Sequence, residues 1–360
     1  MNHGAARAPD GRTPVLRTLL AAAGAVALVA LAGAPAHAAS APSWTSVDTG
    51  STSHFRGLSP VSAKVVWLGG YAGEVRRTVD GGRTWQDVSV PGAETLQFRD
   101  ISAFDARTAV AMAAGSGTDS RLYRTADGGR TWTLAYRNEE PAAFFDCMSF
   151  SDRAHGLVMS DPVDGRFRIL ATSDGGRTWK VQPTTGMPAA LDGEAGFAAS
   201  GTCIATAGRH DAYFGSGGGA SRIFHSRDGG RTWSVTTAPI PASAAGGVFS
   251  LAFRGRHGVA VGGDYTVPDN GVGGSARTRD GRHWVSGGDL GGYRSGVAWV
   301  HGSRHTLLAV GTSGSDVSRD GGRSWSTFDT GAFNAVVCVA DRSCWAAGPD
   351  GRVARLRHVR

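Results

Sequence analysis

Six near-identical segments recur along this chain: TVDGGRTW at 78–85, TADGGRTW at 125–132, TSDGGRTW at 172–179, SRDGGRTW at 226–233, TRDGRHW at 278–284 and SRDGGRSW at 318–325. Their aspartates, Asp80, Asp127, Asp174, Asp228, Asp280 and Asp320, stand 47, 47, 54, 52 and 40 residues apart. A period of that size with β-type sequence between the copies fits the blades of a propeller, not a helical solenoid. The unit 98–137 parses as FRDISAF, then TAVAMAAG, then RLYRTADGGRTWTLAYR, which gives four short antiparallel strands, A to D. The abundance of glycine, 54 of 360 residues, agrees with many tight turns.

The recurring segment has a mechanical reading. An Asp side chain accepts backbone N–H bonds from residues just ahead of it, and Gly tolerates the positive φ of a tight turn. The Trp that follows (Trp85, Trp132, Trp179, Trp233, Trp284 and Trp325) is large enough to plug the space between neighbouring sheets. This Asp box therefore belongs at the C–D turn as part of the frame, and the fifth copy, one residue short, is expected to make an altered turn.

Six boxes imply seven blades. After the sixth box, 333–356 supplies three more strands, while SWTSVDTG at 43–50 matches SWSTFDTG at 324–331, a D strand. The N-terminal strand, with Trp44, is expected to complete the last blade and close the ring, which removes the free edges an open array would leave. The fold expected is all-β: a seven-bladed propeller of four-stranded antiparallel blades over 39–360.

The first 38 residues read as a Sec-type signal peptide: Arg7, Arg12 and Arg17, then an uncharged run from Leu19 to Ala32, then the cleavage pattern Ala36-His37-Ala38. Cleavage takes the formal charge from +7 to +5 and leaves no membrane span, so a secreted or envelope protein is expected. The arginines are scattered, which argues against nucleic acid as partner. Four Cys in an exported chain can form two disulfides in three ways. Cys338 and Cys344 sit as opposed residues of a hairpin would; Cys147 and Cys203 can pair only if neighbouring repeats pack together.

Function is expected on the face opposite the boxes, where D–A connections and B–C loops emerge. Arg56 and Arg99 begin the inner strands of blades 1 and 2 at matching positions, and Arg294 lies near that place in blade 6. Asp146, Asp161, Asp164, Glu194, Asp264 and Asp316 with Arg166 fall on the same loops, and Tyr265 and Tyr293 offer aromatic contacts. Two readings stand: these residues ring a binding mouth, or they pair with one another and hold the loops. The loops themselves are placed at 160–166, 208–221, 262–276 and 311–316, with 192–194 at a D–A edge.

FRDISAFDARTAVAMAAGSGTDSRLYRTADGGRTW, and FRGLSPVSAKVVWLGGYAGEVRRTVDGGRTW at 55–85, resemble repeats of the photosystem II stability/assembly factor family of Asp-box (BNR) propellers. The resemblance spans 43–357. It implies a seven-bladed, cofactor-free propeller that binds protein partners through an Arg patch, which Arg56 and Arg99 match. The long loops of blades 4 and 5 depart from the simple repeat, and nothing else in the sequence points to photosynthesis. Asp boxes also occur in sialidases, which need an Arg triad, a Tyr–Glu pair and an Asp acid/base. Their Phe/Tyr-Arg-Ile-Pro segment is absent here. No zinc-like cluster, phosphate loop, dinucleotide fingerprint or Ser-His-Asp signature occurs. The expectation is a monomeric scaffold without cofactor, metal or catalytic residues, binding an envelope protein or a glycan; the alternative is an exported glycosidase of sialidase type.

Overall fold

The structure is a computed structural model that describes residues 42–357. The signal peptide and the start of the mature chain expected at 1–41 lie outside the described residues. Seven antiparallel sheets form, one per blade. Blade 2 is representative: Phe98–Ala103, Ala109–Ala113, Arg121–Thr125 and Thr133–Arg137 pair in sequence order. The second strands carry apolar runs because both faces lie against neighbouring blades, as in fully buried AVAMA and LLAVG. In blades 3, 4 and 5 polar residues stand only towards their ends, as in GLVMSDPV, DAYFG and HGVAVGGD.

The ring closes as the repeat requires. Ser43–Val47 pairs with Val353–Arg357, placing Trp44 opposite Leu356, and becomes the outer strand of blade 7. Trp44 reaches back to blade 6, where its indole N–H donates to Ser315 Oγ at 2.9 Å. The box tryptophans do the same between other blades. Trp132 donates to the Val88 carbonyl at 2.8 Å and meets Trp67 edge-on, while Trp85 meets Trp345 of the last blade. Only Trp179 and Trp233 are buried; the other five are half-buried and plug the rims of the gaps.

Each box is a closed hydrogen-bonded loop. In blade 2, Asp127 Oδ1 accepts from Thr125 Oγ1 at 2.9 Å and from the Thr131 N–H at 3.0 Å, and Oδ2 accepts from Thr131 Oγ1 at 2.6 Å. The bond from Thr131 holds Asp127 below the usual carboxylate range. Gly128 and Gly129 have φ of 85° and 82°, which a side chain would strain. The shortened fifth box does make a different turn: His283 Nδ1 takes the hydroxyl's place against Asp280 Oδ2 at 2.6 Å.

At the centre, seven latches join each inner strand to the next. Ser59 Oγ accepts from the Ala103 N–H, Asp100 from the Met148 N–H, and Ser250 Oγ from the Val297 N–H. Ser295 Oγ donates to the Asn334 carbonyl, and Asn334 Nδ2 to the Phe55 carbonyl. Thr202 and Ser250 share a hydroxyl contact at 2.6 Å, and the Cys147–Cys203 disulfide joins blades 3 and 4. Cys338–Cys344 is the second disulfide, across a hairpin with the two Cα atoms 4.0 Å apart.

Four expected loops are redrawn. Two of them, 160–166 and 311–316, shrink to hairpin tips because the strands on either side pair up to Val163 with Arg166 and Gly311 with Gly314. Residues 208–221 are not one loop, because Asp211–Gly215 pairs on both sides as the second strand of blade 4. The apolar AYFG run, not the glycines around it, decides the matter, and 208–210 becomes an A–B turn on the box face. The inner strand of blade 4 starts only at Ile204, and Glu194–Ala195 pairs instead with Gly217–Gly218.

Candidate binding site at the channel mouth

The mouth is built from one backbone device used repeatedly. Register shifts between Phe98 and Asp100, Phe145 and Cys147, and Val248 and Ser250 leave Arg99, Asp146 and Phe249 as extra residues at the start of the inner strands. Arg56 occupies the same place in blade 1, where both it and Gly57 oppose Gly69. A bulge re-aims the side chain of the extra residue, so these positions form a ring at the channel entrance. Ser295 and Asn334 continue it in blades 6 and 7.

Arg56 and Arg99 lie close together and are both partly exposed. Arg99 donates from Nε and Nη2 to Gln97 Oε1 and rests over the rings of Tyr71 and Phe144, at 5.9 and 5.7 Å. Burial, with the Arg56 charge nearby, lowers its affinity for its proton without discharging it. Arg56 donates from Nη1 to the Ala198 carbonyl at 3.1 Å, and its Nε has no partner. His54 stacks on Tyr71 at 4.9 Å; burial and the adjacent Arg56 charge favour its neutral form.

The segment Gly196–Thr202 lies across this entrance. Its Gly196 N–H donates to Asp161 Oδ1 at 2.7 Å, its Ala198 carbonyl accepts from Arg56, and its Ser200 Oγ donates to the Ser295 carbonyl at 2.6 Å. Gly201, at φ 73°, leaves no room for a Cβ, which would stand 2.5 Å from the Asp100 carboxyl. The segment thus touches blades 1, 2, 3, 5 and 6, and Cys203 anchors its end to Cys147. Behind it, a cavity of about 550 Å³ runs between the inner strands and opens towards the box side. Nothing in the repeat announces this plug; the sequence signal is only that 54 residues separate the third and fourth boxes, the longest interval.

Three carboxyls hold this arrangement. Burial, then the Asp161 charge, pushes Asp146 well above the usual carboxylate range against the pull of Arg99. Burial pushes Asp161 up to about 6, although the Gly196 N–H favours its charged form. Asp100, which sequence reasoning passed over, is pushed up to about 8 by burial, opposed by backbone N–H bonds from Met148 and Ile101.

Several expected mouth residues serve the frame instead. Arg294 and Asp316 are fully buried and form a two-bonded ion pair at 2.8 and 3.1 Å, so Arg294 is not a surface grip. Glu194 is buried against Arg222 and Ser216. Tyr293 is only 3% exposed and packs edge-on against Phe249, and burial pushes its phenol up. Arg166 donates to the Met187 carbonyl, and Asp264 accepts from Ser243 and Thr266 of its own loop. Asp164 sits exposed at a hairpin tip. Of the expected aromatic contacts only Tyr265 is open, at 51% exposure, beside Phe197, which stacks on Phe249 at 4.0 Å. Neither Glu194 nor Arg294 is left free for a sialidase-type Tyr–Glu pair or Arg triad.

What fold and site define is a seven-bladed propeller whose entrance, crossed by its own chain, presents two arginines over an aromatic floor. No protein-family model matches the chain, and no curated protein matches it. Among solved structures, YCF48 bound to a D1 peptide aligns with 87% of this chain and 94% of its own, at 15% identity and a TM-score of 0.62. YCF48 from Cyanidioschyzon merolae aligns with 87% and 98%, at 17% identity and a TM-score of 0.57. A streptogramin B lyase aligns with 88% and 97%, at 11% identity and a TM-score of 0.61. Likeness at these identities is likeness of fold; the same ring carries a binder and a lyase, so function has to be argued from the site.

Proposed function

We propose that this chain is an exported scaffold that binds a peptide segment of a partner protein across the channel mouth, without catalysing a reaction. The observation that carries the reading is the Arg56–Arg99 pair, partly exposed and beside the aromatic surface of Tyr71 and Phe144. Arginine grips a carboxylate with paired, charge-assisted donors, and the plug behind the pair favours a ligand lying across the entrance over one threading into it. The fold is also that of YCF48, solved with a D1 peptide. Removal of residues 1–38 on export would leave a ring for an envelope or extracellular partner.

The test uses fluorescence anisotropy with acidic peptides carrying either a free or an amidated C-terminus. Wild type should prefer the free carboxylate, and Arg56→Glu with Arg99→Glu should weaken binding tenfold or more in protein whose far-UV circular dichroism matches wild type. Equal binding by the double variant, or turnover of glycosides by wild type, overturns the reading.

A further inference from the structure

The box face carries a charge asymmetry that the repeat does not require. The residue preceding the box Asp is Val79, Ala126 and Ser173 in blades 1 to 3, but Arg227, Arg279 and Arg319 in blades 4 to 6. A second position changes in the same three blades. Their A–B turns carry an Arg-His pair, Arg209-His210, Arg256-His257 and Arg304-His305, all exposed. The two positions are neighbours: the box Gly229 N–H donates to the His210 carbonyl, and Gly321 N–H to the His305 carbonyl.

The frame explains neither position. None of these six arginines forms an ion pair among the described residues, whereas in the A–B turns of blades 2 and 3 Arg153 pairs with Asp105 and His155 hydrogen-bonds to Asp152. The aspartates nearest the basic sector are committed. Asp228, Asp280 and Asp320 are saturated within their own boxes, and Asp211 is bonded to His225 at 2.7 Å. With the box arginines Arg231, Arg282 and Arg323 added, each of the three blades presents three Arg to one box Asp. The net positive charge of the chain is therefore concentrated on one arc.

Two crevices of about 330 Å³ interrupt that arc. One lies between blades 3 and 4, with Lys180, Arg209 and Arg231 beside the committed Asp211 and Asp228 in its wall; the other lies between blades 4 and 5, with Arg227, Arg256 and Arg282 beside Asp211 and Asp280. Each has room for a sugar ring. The A–B and box turns of blades 4 to 6 expose no large apolar side chain among the described residues, so they offer no wedge for a bilayer and no aromatic platform for bases.

The geometry points to a second binding surface: the box face of blades 4 to 6 takes a linear anionic polysaccharide, whose sulfate or carboxylate groups pair with the exposed arginines while sugar units enter the inter-blade crevices. This surface is opposite the mouth and independent of the peptide reading.

Binding of a fluorescent heparin-type dodecasaccharide, titrated with salt, tests it. Wild type should bind saturably at low salt. Replacing Arg209, Arg256 and Arg304 together with Ser should weaken binding tenfold or more and flatten the salt dependence, because fewer counterions are released. Replacing the box arginines Arg83, Arg130 and Arg177 of blades 1 to 3 with Ser should leave binding within twofold, as should Arg56→Glu with Arg99→Glu. Equal losses from the two triple variants would mean diffuse charge attraction and overturn the proposal. So would a DNA duplex or phosphatidylglycerol vesicles that bind wild type as tightly at matched charge. Both triple variants alter only exposed side chains, and an unchanged melting temperature excludes misfolding as the cause.

Discussion

Arg56 and Arg99 stand at the extra position of their inner strands, while Arg294 precedes the blade 6 counterpart, Ser295, by one residue, and the ring uses them differently. Arg294 is wholly desolvated and satisfied by Asp316, the Tyr293 carbonyl and Ser313. Arg294→Ala should therefore cost about 3–5 kcal/mol by stranding a buried Asp316 charge, and Arg56→Ala should cost less than about 1 kcal/mol; urea unfolding curves measure both. The carboxyls divide in the same way. Asp100 and Asp161 have folded-state values of about 8 and about 6, above an unfolded value of about 3.9. The folded protein then binds more protons than the unfolded chain across that window, so their contribution is complete below about pH 4 and lost as pH rises through 6 to 8. Box residues run the other way. Burial pushes Asp174 up, but the bonds from Thr178 and Thr172 outweigh it and hold it at about 2, so its contribution is present above about pH 4 and lost towards pH 2. Melting temperature should peak in mildly acid buffer and fall towards pH 8, and Asp161→Asn, which can still accept the Gly196 N–H, should flatten the decline. A melting temperature that rises steadily from pH 5 to 8 would contradict this assignment.

The strands and boxes were legible in sequence because each repeats and each has a local physical cause: alternating apolar residues, Gly at positive φ, Asp bonded to the turn ahead of it. Asp127→Ala, which removes the acceptor for the Thr131 N–H and both Thr hydroxyls, should cost about 1–2 kcal/mol. Trp233→Ala should cost about 3–5 kcal/mol because its ring is 7% exposed, and half-buried Trp132 should cost less. Equal costs for the two tryptophans would show that burial does not set the ranking. The mouth was only partly legible. Arg56 and Arg99 stood out as departures from the repeat, but which charges face outward depends on pairings such as Glu194 with Arg222, 28 residues apart, that no local pattern encodes. The plug was invisible for a related reason: GFAASGT has neither periodicity nor a counterpart in other blades, and its place follows from contacts with five of them.

At the scale of the ring, stability depends on closure more than on any blade. Each sheet covers the next, so an open array would leave one apolar face and one strand edge unpaired. The N-terminal strand prevents this through its five-residue pairing with Val353–Arg357, the Trp44 bond to Ser315, and Thr49 Oγ1 donating to the Gly351 carbonyl. Deleting residues 39–50 should expose Val353–Arg357 as a free edge. The truncated protein should melt at a markedly lower temperature and self-associate in light scattering, since free edges template pairing with other chains. A synthetic peptide of residues 42–50 added in excess should bind that edge and restore both the melting temperature and the monomer, in proportion to its occupancy. Rescue by the peptide separates loss of closure from general damage. A truncated protein that stays monomeric at the wild-type melting temperature would show that the ring holds without its N-terminal strand, leaving the seven inner-strand latches as the main source of its cohesion.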